Sequence, residues 1–435
     1  MNKTLQTLFV WLLPFYPLWA FLVRSVLHID LVQLVNAGLI LIVLYLINST
    51  FIKVPAYLGF FILFTIYHLY SVFSNDLMPR EANLLAYLLA DYNISACLIL
   101  FVVENTEFDE WFIKKLSKNI FFIVVISLLV SIIQIKDVTF FVSPLLTSDP
   151  DKLAYFFDDH RNYSIFTWVD WNSLGITFPV MIAILLNYYE KRTFALGVIV
   201  LSAILVCFLS RTRYIMVSGV IILLHLLFTS GFSWVKRISG FALIVIGAFV
   251  MAAAASVVGV NMKETINERI LEKDQDLSSS SAGARITSYN VFVQKFPEHP
   301  WFGVGPHTRE DVAALLGEGI PLIHVGYLSY LYYYGIVGCF FLFVSLGLLL
   351  IKSFRAGIKF KFWGSFYGLF AFCVANATFV YFNFSEAGIV LAVVYLRYYK
   401  LAAERSKERS EEFEYVEAEP VPEGQIDHPG SGYYR

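Results

Sequence analysis

The sequence predicts an all-α polytopic membrane protein, with about twelve transmembrane helices and a large outer loop of short helices between spans 9 and 10. Three observations predict it. Of 435 residues, 58% are hydrophobic and 15% are charged, with a mean hydropathy of +0.66. A soluble fold of this length has too little interior to hide that surface. The apolar residues also fall in repeated runs of about 20, the length a helix needs to cross roughly 30 Å of hydrocarbon. Finally, these runs are continuous rather than alternating. That selects helices over a closed barrel, the other structure that satisfies the backbone in lipid.

The spans, in chain order, are 5–23, 29–49, 54–73, 83–103, 116–135, 171–188, 194–210, 213–229, 235–257, 326–351, 360–380 and 386–399. The first contains Pro14 and Pro17 and lacks a small-residue cleavage site, so it reads as a span and not as a removed signal peptide. The last is short and accommodates tilt. With the N-terminus in the cytoplasm, every inner connection is basic: Lys53; Lys114, Lys115 and Lys118; Lys191 and Arg192; Lys236 and Arg237; Lys352, Arg355, Lys359 and Lys361; and the tail from Arg397. The short outer connections hold few cations, so the positive-inside bias puts both termini in the cytoplasm.

Two outer segments exceed a simple turn. The chain accordingly divides into spans 1–9 within 1–257, with an outer loop at 136–170; a large outer loop at 258–324; spans 10–12 within 325–404; and a tail at 405–435. The large loop is expected to hold three short helices, near 264–273, 284–296 and 308–316. Connections this long in a compact bundle usually carry function. The tail turns acidic (Glu411, Glu412, Glu414, Glu417, Glu419) and then Pro- and Gly-rich, a composition expected to be disordered. Cys97, Cys207, Cys339 and Cys373 all lie in apolar runs and read as small buried hydrophobes. The net charge of −2 points to no partner, nucleic acid included.

The informative cations lie on the outer side, against the orientation bias. Arg211 and Arg213 fall in Ser210-Arg211-Thr212-Arg213, a connection so short that both guanidinium groups lie at the membrane surface or face the bundle. One such arginine is readily explained as a snorkelling anchor; two in four residues point to an anion site. Arg285 follows the Ser278–Gly283 stretch at the expected start of a helix, where free N–H groups and a guanidinium fork suit phosphate. Arg161, in Asp158-Asp159-His160-Arg161, is weaker because two acids adjoin it. His324 closes the large loop at the foot of a span, where a neutral imidazole can take a proton from a hydroxyl nucleophile. His299, His307 and His324 match no compact zinc spacing, so neither a metal nor another cofactor is expected. The aromatic runs Phe166–Trp171 and Tyr330–Tyr334 fit interfacial belts and are compatible with sugar stacking.

Taken together, these residues resemble a known family. His324, ten residues and Gly335 match the H-x10-G signature of the bacterial O-antigen ligases and are equally similar to the related O-antigen and exopolysaccharide polymerases. Arg161 through Asn172-Ser173-Leu174-Gly175 resembles the family's Arg-then-Asn stretch. Ser210-Arg211-Thr212-Arg213 resembles its Ser-x-Ser/Thr-Arg turn, and Arg285 with Phe296-Pro297 and Gly303-Val304-Gly305 its arginine helix, proline and Gly-x-Gly turn. The resemblance spans roughly residues 155–350. Two features depart from it: Val325 stands where an Asn often follows the histidine, and the Arg-x3-Leu pattern of ligases is absent, with Val217 and Tyr289 at that spacing.

The resemblance implies an inner-membrane, metal-independent and inverting glycosyltransferase with a periplasmic active site and periplasmic loop. Its donor would be a glycan on undecaprenyl diphosphate. Its acceptor would be the lipid A core (a ligase) or a second lipid-linked repeat (a polymerase). By the same likeness His324 is the base, Arg213 and Arg285 complete the catalytic set, and Arg211, Arg161 and Asn172 bind substrate. The rival class is a transporter of lipid-linked oligosaccharide. It predicts charges deep in the spans and two related halves, whereas the runs hold little beyond Asp91 and Glu104 and no repeat is visible.

Overall fold

The structure, a computed structural model, describes residues 2–23, 27, 31–49, 52–75, 83–143, 161–168, 173–210, 212–228, 238, 242, 281–306, 323, 325–377 and 382–418. Among the described residues every regular element is helical: α1 (Asn2–Leu12), α2 (Tyr16–Leu22), α3 (Leu31–Ser49), α4 (Ala56–Ser74), α5 (Leu84–Ala90), α6 (Tyr92–Glu104), α7 (Glu110–Ile133), α8 (Ser173–Tyr188), α9 (Thr193–Leu209), α10 (Arg213–Phe228), α11 (Ser281–Lys295), α12 (Gly326–Phe360), α13 (Gly364–Asn376) and α14 (Ala387–Ala418). Short 3-10 turns add Ser164–Trp168 and Phe296–Glu298.

The apolar runs become helices, but they do not all become straight spans. Among the described residues three helices, α4, α7 and α12, are long and apolar enough to cross a membrane, and up to five spans result if each of two bent pairs counts as one. The pair α1/α2 bends by 79° next to Pro14, and α5/α6 bends by 61° at Asp91. Five shorter apolar helices lie within α3, α8, α9, α10 and α13. The expected ninth span, 235–257, falls almost wholly outside the described residues, as do the loop helices expected at 264–273 and 308–316.

α8 forms the middle of the bundle. Every residue from Ser173 to Leu186 is buried, and α7, α9, α10, α13 and α14 pack round it. A helix apolar on all sides needs that enclosure. One end of the bundle gathers the basic connections. Asn105 Oδ1 accepts from Lys53 N (2.7 Å), Glu104 pairs with Lys352 (2.5 Å), Arg405 lies 3.6 Å from Glu107, and Asn187 donates to Lys361 O (3.3 Å). α14 corrects one expectation: it stays helical to Ala418, past the Arg405 at which the sequence reading starts disorder. Its charged residues are good helix formers, and Lys400 and Glu404 pair at the i,i+4 spacing. Residues 419–435 lie outside the described set.

Candidate functional site

The opposite end of the bundle holds the starts of α8, α10, α12 and α14 and the ends of α4 and α9. The segment carrying Arg161 is built in by its neighbours. Asn162 N donates to Leu209 O (3.3 Å), Asn162 Nδ2 to Ser131 O (2.7 Å), and Ser164 N to Gln134 Oε1 (3.0 Å). The contact with Leu209 sets Arg161 beside the short turn that opens α10 with Arg213. Ser210 shapes that turn: Thr212 N donates to its Oγ (3.3 Å) and Thr212 Oγ1 to its carbonyl (2.9 Å). The next residue, Tyr214, lies flat on Gly175, where a Cβ would sit 2.1 Å from the ring. Arg161, Arg213 and the start of α8 therefore share one junction.

A carboxylate that the sequence reading passed over joins them. Glu386, just before α14, is buried (4% exposed). It accepts from Ser173 Oγ (2.8 Å) on one oxygen and from Thr177 Oγ1 (2.9 Å) on the other. Its visible signal was a lone acid at the foot of an apolar run, a position that needs a polar partner. Its flanking residues Ser385 and Ala387 close an apolar crevice of about 190 Å³ whose other walls include Phe9, Trp19, Leu39 and Ile99.

Gly335, the glycine of the H-x10-G pattern, breaks α12 into two helices, Gly326–Tyr334 and Ile336–Phe360, with φ 60° and ψ −169°. This backbone region is open essentially to glycine alone. The Gly-x-Gly turn docks into the break. Val304 N donates to Tyr332 O (3.1 Å), Gly305 N to Tyr333 O (2.8 Å), Ile336 N to Pro300 O (2.9 Å) and Val337 N to Trp301 O (3.1 Å). A Cβ on Gly303 would lie 2.3 Å from Tyr333 O, and one on Gly335 would lie 2.4 Å from Trp301 O. The two motif glycines thus face each other in a backbone clasp. The tyrosine run corrects another expectation. Tyr332, Tyr333 and Tyr334 are buried in the clasp rather than set in an interfacial belt, as are Tyr163 and Phe166 in the first outer segment.

α11 packs on α12 and starts at Ser281, three residues earlier than expected. Arg285 consequently sits in the second turn, not among the free N–H groups of the first, and its guanidinium rather than the helix terminus is what it offers an anion. Arg211, Asn172 and His324 lie outside the described residues, between Ser210 and Thr212, before Ser173, and between Ile323 and Val325 respectively.

Fold and site together define an all-helical membrane protein with cationic and carboxylate side chains gathered at one end. Residues 196–343 match the family described as O-antigen ligase. That matched segment carries Arg213, Arg285, His324 and both halves of the clasp. No curated protein matches the chain.

Proposed function

We propose that the protein is a membrane glycosyltransferase of the O-antigen ligase type, acting at the periplasmic face of a bacterial inner membrane with both termini in the cytoplasm. The observation that carries the reading is the family match across Arg213, Arg285 and His324, in a segment whose motif glycines have a specific structural use. The donor is a glycan on undecaprenyl diphosphate, and the acceptor is the lipid A core. The apolar crevice that reaches Ser385 and Ala387 supports a lipid-linked donor, since its walls include the exposed apolar side chains of Leu8, Leu12 and Trp19.

The acceptor hydroxyl attacks the anomeric carbon with inversion as the bond from that carbon to the diphosphate oxygen breaks. His324 takes the hydroxyl proton. Undecaprenyl diphosphate departs with the bonding electron pair. Arg213 and Arg285 hold the charge that develops on it, the kind of stabilisation that usually dominates such a transition state. Arg211, Arg161 and Asn172 orient the donor.

The test uses purified protein in nanodiscs with undecaprenyl-diphosphate-linked glycan, comparing wild type with His324→Ala, with and without chelator. Lipid A core and a second lipid-linked repeat are offered separately. Transfer to the core that is lost in the variant supports the ligase. Chain lengthening makes the protein a polymerase, and no transfer by folded protein refutes the enzyme reading.

A further inference from the structure

The clasp is itself held by two adjacent residues of α4. The Tyr67 hydroxyl donates to Phe302 O (2.6 Å) on the loop side. His68 Nδ1 lies 2.9 Å from the Tyr334 hydroxyl on the helix side. The other ring nitrogen, Nε2, lies 2.8 Å from Asp91 Oδ2. In the neutral ring Nε2–H donates to Asp91, which leaves Nδ1 to accept from Tyr334. Asp91 is fixed in turn. Its second oxygen caps α6 through Asn93 N (2.8 Å) and Ile94 N (3.0 Å), and Asn36 Nδ2 donates to Leu89 O beside it (2.8 Å). His68, Asp91 and Tyr334 are all shielded from solvent. Polar groups inside an apolar bundle are costly unless every one is bonded, and each of these has a partner.

We propose that Tyr67 and His68, backed by Asp91, form a positioning clamp that fixes both sides of the clasp. The clamp thereby sets the spacing between the chain segment descending from Arg285 and the half-helix that begins two residues after His324. From the unbroken α4, the network reaches two points of broken regularity, the 61° bend at Asp91 and the break at Gly335. A break left to itself is a hinge. Tied to α4 from both sides, it becomes a rigid platform on which the two arms keep one geometry. The consequence for catalysis rests on the proposed glycosyl transfer; the clamp itself does not.

The experiment follows Tyr67→Phe, His68→Ala and Tyr334→Phe in nanodiscs by hydrogen exchange and by transfer kinetics. The phenylalanine variants each remove one hydroxyl and keep the ring, so they guard against the case in which His68→Ala fails to fold. The amides of Val304, Gly305, Ile336 and Val337 should exchange about tenfold faster in each folded variant, the effect of one lost hydrogen bond, while α8 stays protected. The turnover number should fall at least about tenfold with KM for the donor changed less than about twofold, as for a misplaced group that acts in the transition state. Unchanged exchange at those four amides in both phenylalanine variants would overturn the clamp. Faster exchange with unchanged turnover would overturn its positioning role. Should wild-type protein transfer no glycan at all, the functional reading fails, and the exchange comparison alone still judges the clamp.

Discussion

Gly335→Ala is the sharpest probe of the clasp. The substitution adds one methyl group at φ 60°, ψ −169°, where an L side chain costs about 1–3 kcal/mol in backbone strain. The new Cβ would also lie 2.4 Å from the carbonyl of Trp301 and 2.6 Å from Gly303 N, so the turn must withdraw. Withdrawal breaks the bonds from Ile336 N to Pro300 O and from Val337 N to Trp301 O, each worth about 1 kcal/mol net. The clasp therefore loses about 3–5 kcal/mol, and its open population rises by a factor on the order of 10²–10⁴. The loss stays local, because α8, at the middle of the bundle, packs chiefly against α7, α9, α10, α13 and α14. Limited proteolysis reads it directly. Trp301 and Phe302 are exposed sites for chymotrypsin, but cleavage needs the chain freed from α12, and its rate tracks the open population. Cleavage there should rise at least about a hundredfold while the melting temperature moves by only a few degrees. A rise below about tenfold would show that the turn tolerates a Cβ at Gly335, and the account of the H-x10-G glycine would be wrong.

Arg213→Ala and Arg285→Ala should each abolish glycan transfer at unchanged membrane level, and Arg285→Lys should recover little, because an ammonium lacks the bidentate fork. A quantitative transfer assay beside a membrane immunoblot checks both. Glu386→Ala removes the acceptor of two buried hydroxyls, so thermal unfolding should report a loss of about 2–4 kcal/mol, whereas Glu386→Gln keeps one acceptor and should lose less. At the other end of the bundle, Lys352→Ala removes the ion-pair partner of buried Glu104, which also accepts from the Tyr57 hydroxyl (2.7 Å), and should cost about 3 kcal/mol. Adding Glu104→Gln to Lys352→Ala should restore part of that stability in a double-mutant cycle. An additive double variant would refute the pairing.

Much of the frame was legible before any coordinates. The runs at 54–73, 116–135 and 194–210 became α4, α7 and α9 nearly where hydropathy placed them, because a helix in lipid satisfies its backbone within the segment. The bend in the first run lies beside Pro14, while the bend at Asp91 has no proline and comes from an aspartate capping α6 in mid-run. In the tail, composition misled. Residues 405–418 look too polar to order themselves, yet they extend a helix already nucleated by the buried stretch from Ala387, and extension costs far less than initiation. At the site, the proximity of Arg161 to the Arg213 turn comes from the backbone contact between Asn162 and Leu209, and nothing in the local pattern singles out Glu386, His68 or Tyr67. Asp91 and Glu104 stand out in the sequence only as rare charges in or beside the apolar runs, and each has a committed partner, His68 and Lys352.

What the sequence determined by itself was the helical class, the approximate position of the described helices and the set of motif residues. Those follow from local periods, from spacing and from where charges fall along the chain. Only the tertiary structure decided why two of the motifs exist. Gly303 and Gly335 are required by each other, and their contact is made through backbone atoms that every residue possesses. No side chain announces such a contact in a single sequence. The same holds for the clamp from Tyr67 and His68 to Phe302 and Tyr334, whose partners lie more than 200 positions apart. Hydrophobic burial and backbone satisfaction act within a segment and leave a period to read. A hydrogen bond between distant segments leaves none until the chain has folded.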